Sequence, residues 1–207
     1  MMLPPPLDRY YARFEKAISA RLAEFAAPKS EKEIFYELCY CICTPQSKAQ
    51  HALHVVEQLE QQQFFERPFD PTPLLAQREH YIRFHRTKAA RLLGLRDQFP
   101  AILAMLRDEP DPRVLRAWVA TTVPGLGFKE ASHVLRNLGY ADLAILDRHI
   151  LRNLARYGVI ADPMPPRTRQ DYEVLEERFQ NFAIRCGLPL QALDLLLWAI
   201  ETGLVLK

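Results

Sequence analysis

Two residues in this chain have types and positions suited to chemistry on a sugar. Lys129 stands two positions after Gly127, at the end of Val123-Pro124-Gly125-Leu126-Gly127. A hairpin of apolar-Pro-Gly-apolar-Gly composition between two helices can bind an anion. Its glycines let the backbone approach a ligand closely, and the next helix opens with unpaired N–H groups and a partial positive charge. The second residue, Asp147, lies eighteen positions after Lys129. A cation is disfavoured at a helix N-terminus, so an amine in that first turn is inclined towards its neutral form. A neutral lysine can attack a sugar carbon and form a Schiff base. Asp147 can cap the helix that follows it, and the same carboxylate can stabilise positive charge developing on a ribose ring. Taken alone, the glycines also fit a tight interhelical turn, and Asp147 fits a plain cap.

The elements that hold these residues read as helices throughout. Tyr11, Phe14, Ile18, Leu22 and Phe25 recur at helical spacing. Ser30 and Glu33 form a capping-box pattern before Ile34, Phe35, Leu38 and Ile42. Thr44-Pro45 ends that helix, and a new one is expected from Gln46 to Leu59. Pro68 to Pro73 reads as a loop. Thr87 is placed to cap a helix ending at Phe99, with another after Pro100. A further helix starts near Pro112. The helix after Phe128 should stop at Gly139, and another follows Asp147. Pro163-Met164-Pro165-Pro166 is a break, with two helices beyond it. Strand patterns and internal repeats are missing. The expected class is all-α, with a hairpin-bearing lobe over 45–163 and a second lobe built from 1–44 and 164–207.

Composition narrows the field without choosing within it. The chain has 207 residues, 49% hydrophobic and 25% charged, with a formal net charge of +2. That charge is too small to argue for nucleic acid by itself. Arg83, His85, Arg86, Lys88, Arg91 and Arg96 nevertheless form a basic run free of acids, which is either a solvated helix face or a phosphate-binding one. Cys39, Cys41 and Cys43 alternate among apolar residues and read as small buried side chains. Cys186 stands alone in the C-terminal half. There is no Cys-x-x-Cys, no secretory signal and no apolar stretch of membrane-spanning length, so a cytoplasmic setting is expected. His133 and His149 lack metal-ligand spacing, and no metal or other cofactor is assigned.

The flanking strings carry a resemblance. Val123-Pro-Gly-Leu-Gly-Phe-Lys129-Glu-Ala-Ser-His133, then Leu135-Arg-Asn-Leu-Gly139, then Ala144-Ile-Leu-Asp147-Arg-His-Ile150 resemble the second, mainly archaeal family of 8-oxoguanine DNA glycosylase/AP lyases, in the helix–hairpin–helix superfamily. The likeness extends over Phe35 to Ser47, Arg83 to Arg91 and Asp194 to Lys207. It implies a two-lobe glycosylase fold and a base excision repair enzyme, both hydrolase and lyase, acting on double-stranded DNA that contains 8-oxoguanine. Lys129 would attack C1′ of the damaged nucleotide. Asp147 would stabilise the oxocarbenium-like transition state, and the Schiff base would allow β-elimination and a nick.

The base has to be flipped out of the duplex into an interlobe cleft. Phe84 and Trp198 match family positions that line its pocket, although by residue type alone each reads as a core aromatic. Thr202-Gly203-Leu204-Val205-Leu206-Lys207 matches the family's C-terminal end, which implies that Lys207 and its carboxylate contact the base. Gln46 matches the position that enters the vacated duplex, or else is a solvated cap. Arg86, Lys88 and Arg91 become phosphate contacts, alongside Gly125 and Gly127. Endonuclease III-like relatives carry four C-terminal cysteines for an iron–sulfur cluster, and with Cys186 alone no cluster is expected. A monomer working at the nucleoid is implied. Two rivals stand beside this reading: a same-fold glycosylase for oxidised pyrimidines, and a non-catalytic helix–hairpin–helix DNA-binding protein.

Overall fold

The computed structural model describes residues 3–207. Ten helices make up the secondary structure there, and no strand occurs among the described residues. They are α1 (Leu7–Ala26), α2 (Glu31–Cys43), α3 (Ala49–Gln61), α4 (Thr72–Leu75), α5 (His85–Asp108), α6 (Pro112–Thr122), α7 (Phe128–Asn137), α8 (Arg148–Arg156), α9 (Arg169–Cys186) and α10 (Leu190–Thr202). Among the described residues, no single helix is long and apolar enough to cross a membrane.

The chain divides into two compact units. One contains residues 1–27 and 135–207, and the other contains 28–134. The boundaries differ from those expected at 45 and 163. Pro45 and the Pro163–Pro166 run break helices without ending a core. The second division falls inside α7.

In the unit over 28–134, α2 is the central helix, with Phe35 to Cys43 entirely buried. The Ser30–Glu33 capping box fixes its start. Phe35 packs edge-on against Tyr36 and Phe99 and tilts against Phe64 and Phe65. α5 is one helix rather than two, and Pro100 lies inside it. An interior proline costs a helix about 3 kcal/mol. Here Phe99, Ile102 and Leu103 are buried on either side of it, and their burial, about 1.5–3 kcal/mol each, outweighs the lost bond. α5 also begins before Thr87: its N-cap is Phe84, and the Lys88 N–H already bonds the Phe84 carbonyl. α3 starts at Ala49 rather than Gln46 because Thr44 to Ser47 forms a turn, with Gln46 at φ 56°.

In the other unit, α10 packs on α1, α8 and α9. It is apolar almost all round, with Leu193, Leu195, Leu196 and Leu197 buried. The Thr168–Asp171 capping box starts α9, a Thr-x-x-Asp signal of the same kind as Ser30–Glu33.

Candidate active site

The hairpin is set by α6 and α7. Val123 and Leu126 are buried, and the Leu126 N–H bonds the Val123 carbonyl. Arg116, itself buried on α6, lies 5.0 Å from the Phe128 ring and donates to Ser132 on α7. Gly125 has φ +97°, and a Cβ there would lie 2.7 Å from Arg91 Cδ. Gly125 is therefore required for its backbone angle, whereas the flexible Arg91 side chain can shift away from a Cβ.

Lys129 is in the first turn of α7. Its Nζ is 2.8 Å from Glu130 Oε1. The other Glu130 oxygen accepts the Gly127 N–H at 3.3 Å, so one carboxylate holds both the amine and a hairpin amide. Glu130 was not singled out from sequence. The signal was present: a Glu three residues after the hairpin's last glycine is the acceptor half of a capping box.

Asp147 begins α8 in the other unit. Oδ1 accepts both the His149 and Ile150 N–H groups at 2.8 Å. Among the described residues, no hydrogen bond is made to Oδ2, so capping uses one oxygen and leaves the second for other work. The buried stretch Leu143–Leu146 aims this residue. Ala144 donates its N–H to Glu176 and accepts from the Tyr172 hydroxyl, each at 2.7 Å.

α8 is stitched to α10 next to Asp147. Asn153 Nδ2 donates to the His149 carbonyl, the Leu197 carbonyl and Glu201 Oε1. His149 lies beside Glu201 and meets the Trp198 ring edge-on at 6.5 Å. Trp198 is half-buried, and α10 ends one turn later at Gly203. Residues 204–207 follow directly, and Lys207 is half-buried. The unit thus brings Asp147, His149 and Trp198 together. Buried beneath them is Asp194, paired with Arg136. Burial raises the Asp194 carboxyl to about 7 despite that arginine, and the Asp147 charge adds to the rise.

In the hairpin unit, Phe84 is 51% exposed, at φ 59°, with the Arg83 guanidinium 5.0 Å from its ring centroid. An exposed aromatic residue in left-handed backbone is not a core aromatic. Gln46 is exposed, also in left-handed backbone, and Arg86 is exposed. Lys88 corrects the sequence reading. It is 2% exposed and cannot serve as a surface phosphate contact. Its Nζ donates to the Cys43 and Pro45 carbonyls at 2.7 Å and to Ser47 Oγ at 3.3 Å. Burial lowers its pKa to about 8. His133 packs edge-on against Tyr40. No group of three or more His, Cys, Asp or Glu side chains among the described residues could hold a metal ion.

An all-α chain with a glycine hairpin, a lysine in the next helical turn and a capping aspartate has the makings of a helix–hairpin–helix DNA glycosylase. The sequence pattern of the family described as 8-oxoguanine DNA glycosylase matches residues 18–188, and the chain belongs to that family. It is 35% identical over 196 residues to an 8-oxoguanine DNA glycosylase/AP lyase of Korarchaeum cryptofilum, covering 95% of this chain and 93% of that one. Among solved structures it resembles the Methanocaldococcus jannaschii 8-oxoguanine glycosylase/lyase in complex with a 15mer DNA containing 8-oxoguanine. The TM-score is 0.86 at 30% identity, over 96% of this chain and 98% of that one. It is also similar to the 8-oxoguanine DNA glycosylase of Thermotoga maritima, with TM-score 0.87 at 28% identity over 97% and 96% of the two chains.

Proposed function

We propose that the chain excises 8-oxoguanine from duplex DNA and then nicks the strand, with Lys129 as nucleophile and Asp147 as its electrostatic partner. The observation that carries this reading is the seat of Lys129. Lys129 is the second residue of α7, in the turn that follows the Gly125–Gly127 hairpin, in a chain matched by the family over 18–188. Hairpin amides grip a phosphate of the damaged strand, with Arg86 and Arg91 adding charge. Gln46 enters the space left by the flipped nucleotide. Phe84, Trp198 and Lys207 receive the base.

As the glycosidic bond lengthens, positive charge grows on the sugar, and the unused Asp147 oxygen stabilises it. The Lys129 amine bonds to C1′, and the base leaves with the glycosidic electron pair and gains a proton. Ring opening gives the Schiff base. Loss of a C2′ proton then expels the 3′ phosphate. No metal or iron–sulfur cluster takes part, a reading supported by the single cysteine, Cys186, in the C-terminal half. The protein acts as a monomer at the nucleoid.

The test is borohydride trapping on a duplex with one 8-oxoguanine. Lys129→Gln keeps length and polarity but has no amine, so it should bind the lesion and yield no covalent adduct. Wild-type trapping by this variant would remove Lys129 from the mechanism. Release of oxidised pyrimidines in preference to 8-oxoguanine would replace the substrate while leaving the chemistry in place.

A further inference from the structure

Lys88 is the buried charge that the proposed reaction does not use. A charged side chain in an apolar interior is costly unless its donors are all met. Here three oxygens meet them, and all three belong to one turn: the Cys43 and Pro45 carbonyls and Ser47 Oγ. That turn carries Gln46, held at φ 56° and exposed. Ser47 Oγ has a second partner, accepting the Arg83 N–H at 3.0 Å. Arg83 is the residue before Phe84, which is likewise exposed and held at φ 59°. The Lys88 backbone completes the circuit, because its N–H donates to the Phe84 carbonyl at 3.0 Å. One residue therefore ties two separate segments, each with an exposed side chain in left-handed backbone. A non-glycine residue in that region is strained and persists only where its surroundings hold it. The same small network holds both.

We propose that Lys88 is a positioning residue that locks Gln46 and Phe84 into one rigid body through Ser47, so that filling the duplex gap and receiving the flipped base occur as a single event. The inference rests on the roles given above to Gln46 and Phe84. Coupling of this kind favours the flipped state: with the receiving aromatic fixed relative to the wedge, neither has to be ordered after the base has moved. A preformed abasic site has no base to receive. Lyase chemistry there should depend on Lys129 and much less on this network.

A double-mutant cycle tests the coupling in the full-length protein. Single-turnover excision from an 8-oxoguanine duplex is measured for Gln46→Ala, Phe84→Ala and the pair, first in the wild-type background and then with Ser47→Ala. Serine-to-alanine removes the hydroxyl that joins the two segments and leaves the Lys88 carbonyl bonds in place, so it is expected to fold. Each single change should slow excision by about tenfold, and the pair by clearly less than the product of the two. In the Ser47→Ala background the two effects should become multiplicative. Lyase rate at a preformed abasic site should fall no more than about threefold in Ser47→Ala or Lys88→Met.

If Gln46→Ala and Phe84→Ala both leave excision unchanged, the roles assigned to those residues are wrong, and the proposal falls with them. If each slows excision but the effects multiply in the wild-type background, the roles stand and the coupling is refuted. Lys88→Met supplies the last check. Equal losses of excision and abasic-site lyase rate, with a lowered melting temperature, would make Lys88 a fold-stabilising residue only.

Discussion

Asp147 caps α8 with one oxygen and is proposed to act in catalysis with the other, and a single substitution can separate the two roles. Oδ1 caps α8 through His149 and Ile150, and asparagine caps helices as well as aspartate does. Asp147→Asn should therefore fold and bind DNA normally. A charge that acts mainly in the transition state should lower turnover rather than affinity, here by about 100-fold or more in base release. Near-normal turnover would leave Asp147 as a cap alone. Asp194 makes a second prediction at this scale. Its carboxyl is raised from 3.8 to about 7 by burial, against the pull of Arg136. The folded state then holds a proton that the unfolded state releases. The stability this contributes is fully present below about 3.8 and is lost as pH rises through about 7. Denaturant unfolding of wild type and Asp194→Asn across that range should show the wild-type advantage shrinking with rising pH. A growing advantage would mean that Arg136 dominates and holds the carboxyl below its ordinary value.

At the scale of elements, the α7 C-terminus gives a direct test of backbone geometry. Gly139 has φ +94°, and a Cβ there would lie 2.8 Å from the Phe25 carbonyl oxygen. That atom is main chain and cannot swing aside. Gly158 is also left-handed, at φ +67°, but its Cβ would meet open space. Gly139→Ala should cost both strain and a clash, on the order of 2–4 kcal/mol, while Gly158→Ala costs about 1 kcal/mol. Calorimetric melting of the two variants checks the difference, and equal shifts would mean that α1 moves away at little cost. Gly139 was legible in the sequence as a helix stop, and so were Ser30–Glu33 and Asp147, because each is a local signal read over three or four residues. Pro100 and Thr87 misled for the complementary reason. They carry strong local preferences for a break and a cap, but the burial of Phe99, Ile102 and Leu103 and the Lys88 N–H bond to Phe84 decide where α5 runs. Lys88 was misread in the same way. Its type says surface, and only the turn at Cys43–Ser47, more than forty residues away, supplies the three acceptors that bring it inside.

For the whole molecule the question is how a chain of net charge +2 holds a polyanion. The overall field is weak, so affinity has to come from local groups: uncharged hairpin amides and a few exposed cations. The two kinds respond differently to salt. Amide contacts release few counterions, whereas each lysine or arginine that neutralises a phosphate contributes about 0.9 to the slope of log affinity against log salt. Arg86 is exposed on the first turn of α5, beside the Phe84 segment. Lys88 is two residues on and buried. Arg86→Ala should therefore weaken binding to damaged and undamaged duplexes by the same factor and lower the salt slope by about 1. Lys88→Met should leave the slope unchanged, since its charge meets no phosphate. Fluorescence anisotropy on a duplex with and without 8-oxoguanine, over a series of potassium chloride concentrations, measures both quantities. A loss confined to the damaged duplex would place Arg86 at the base rather than the backbone, and an unchanged slope would make it an ordinary solvated arginine.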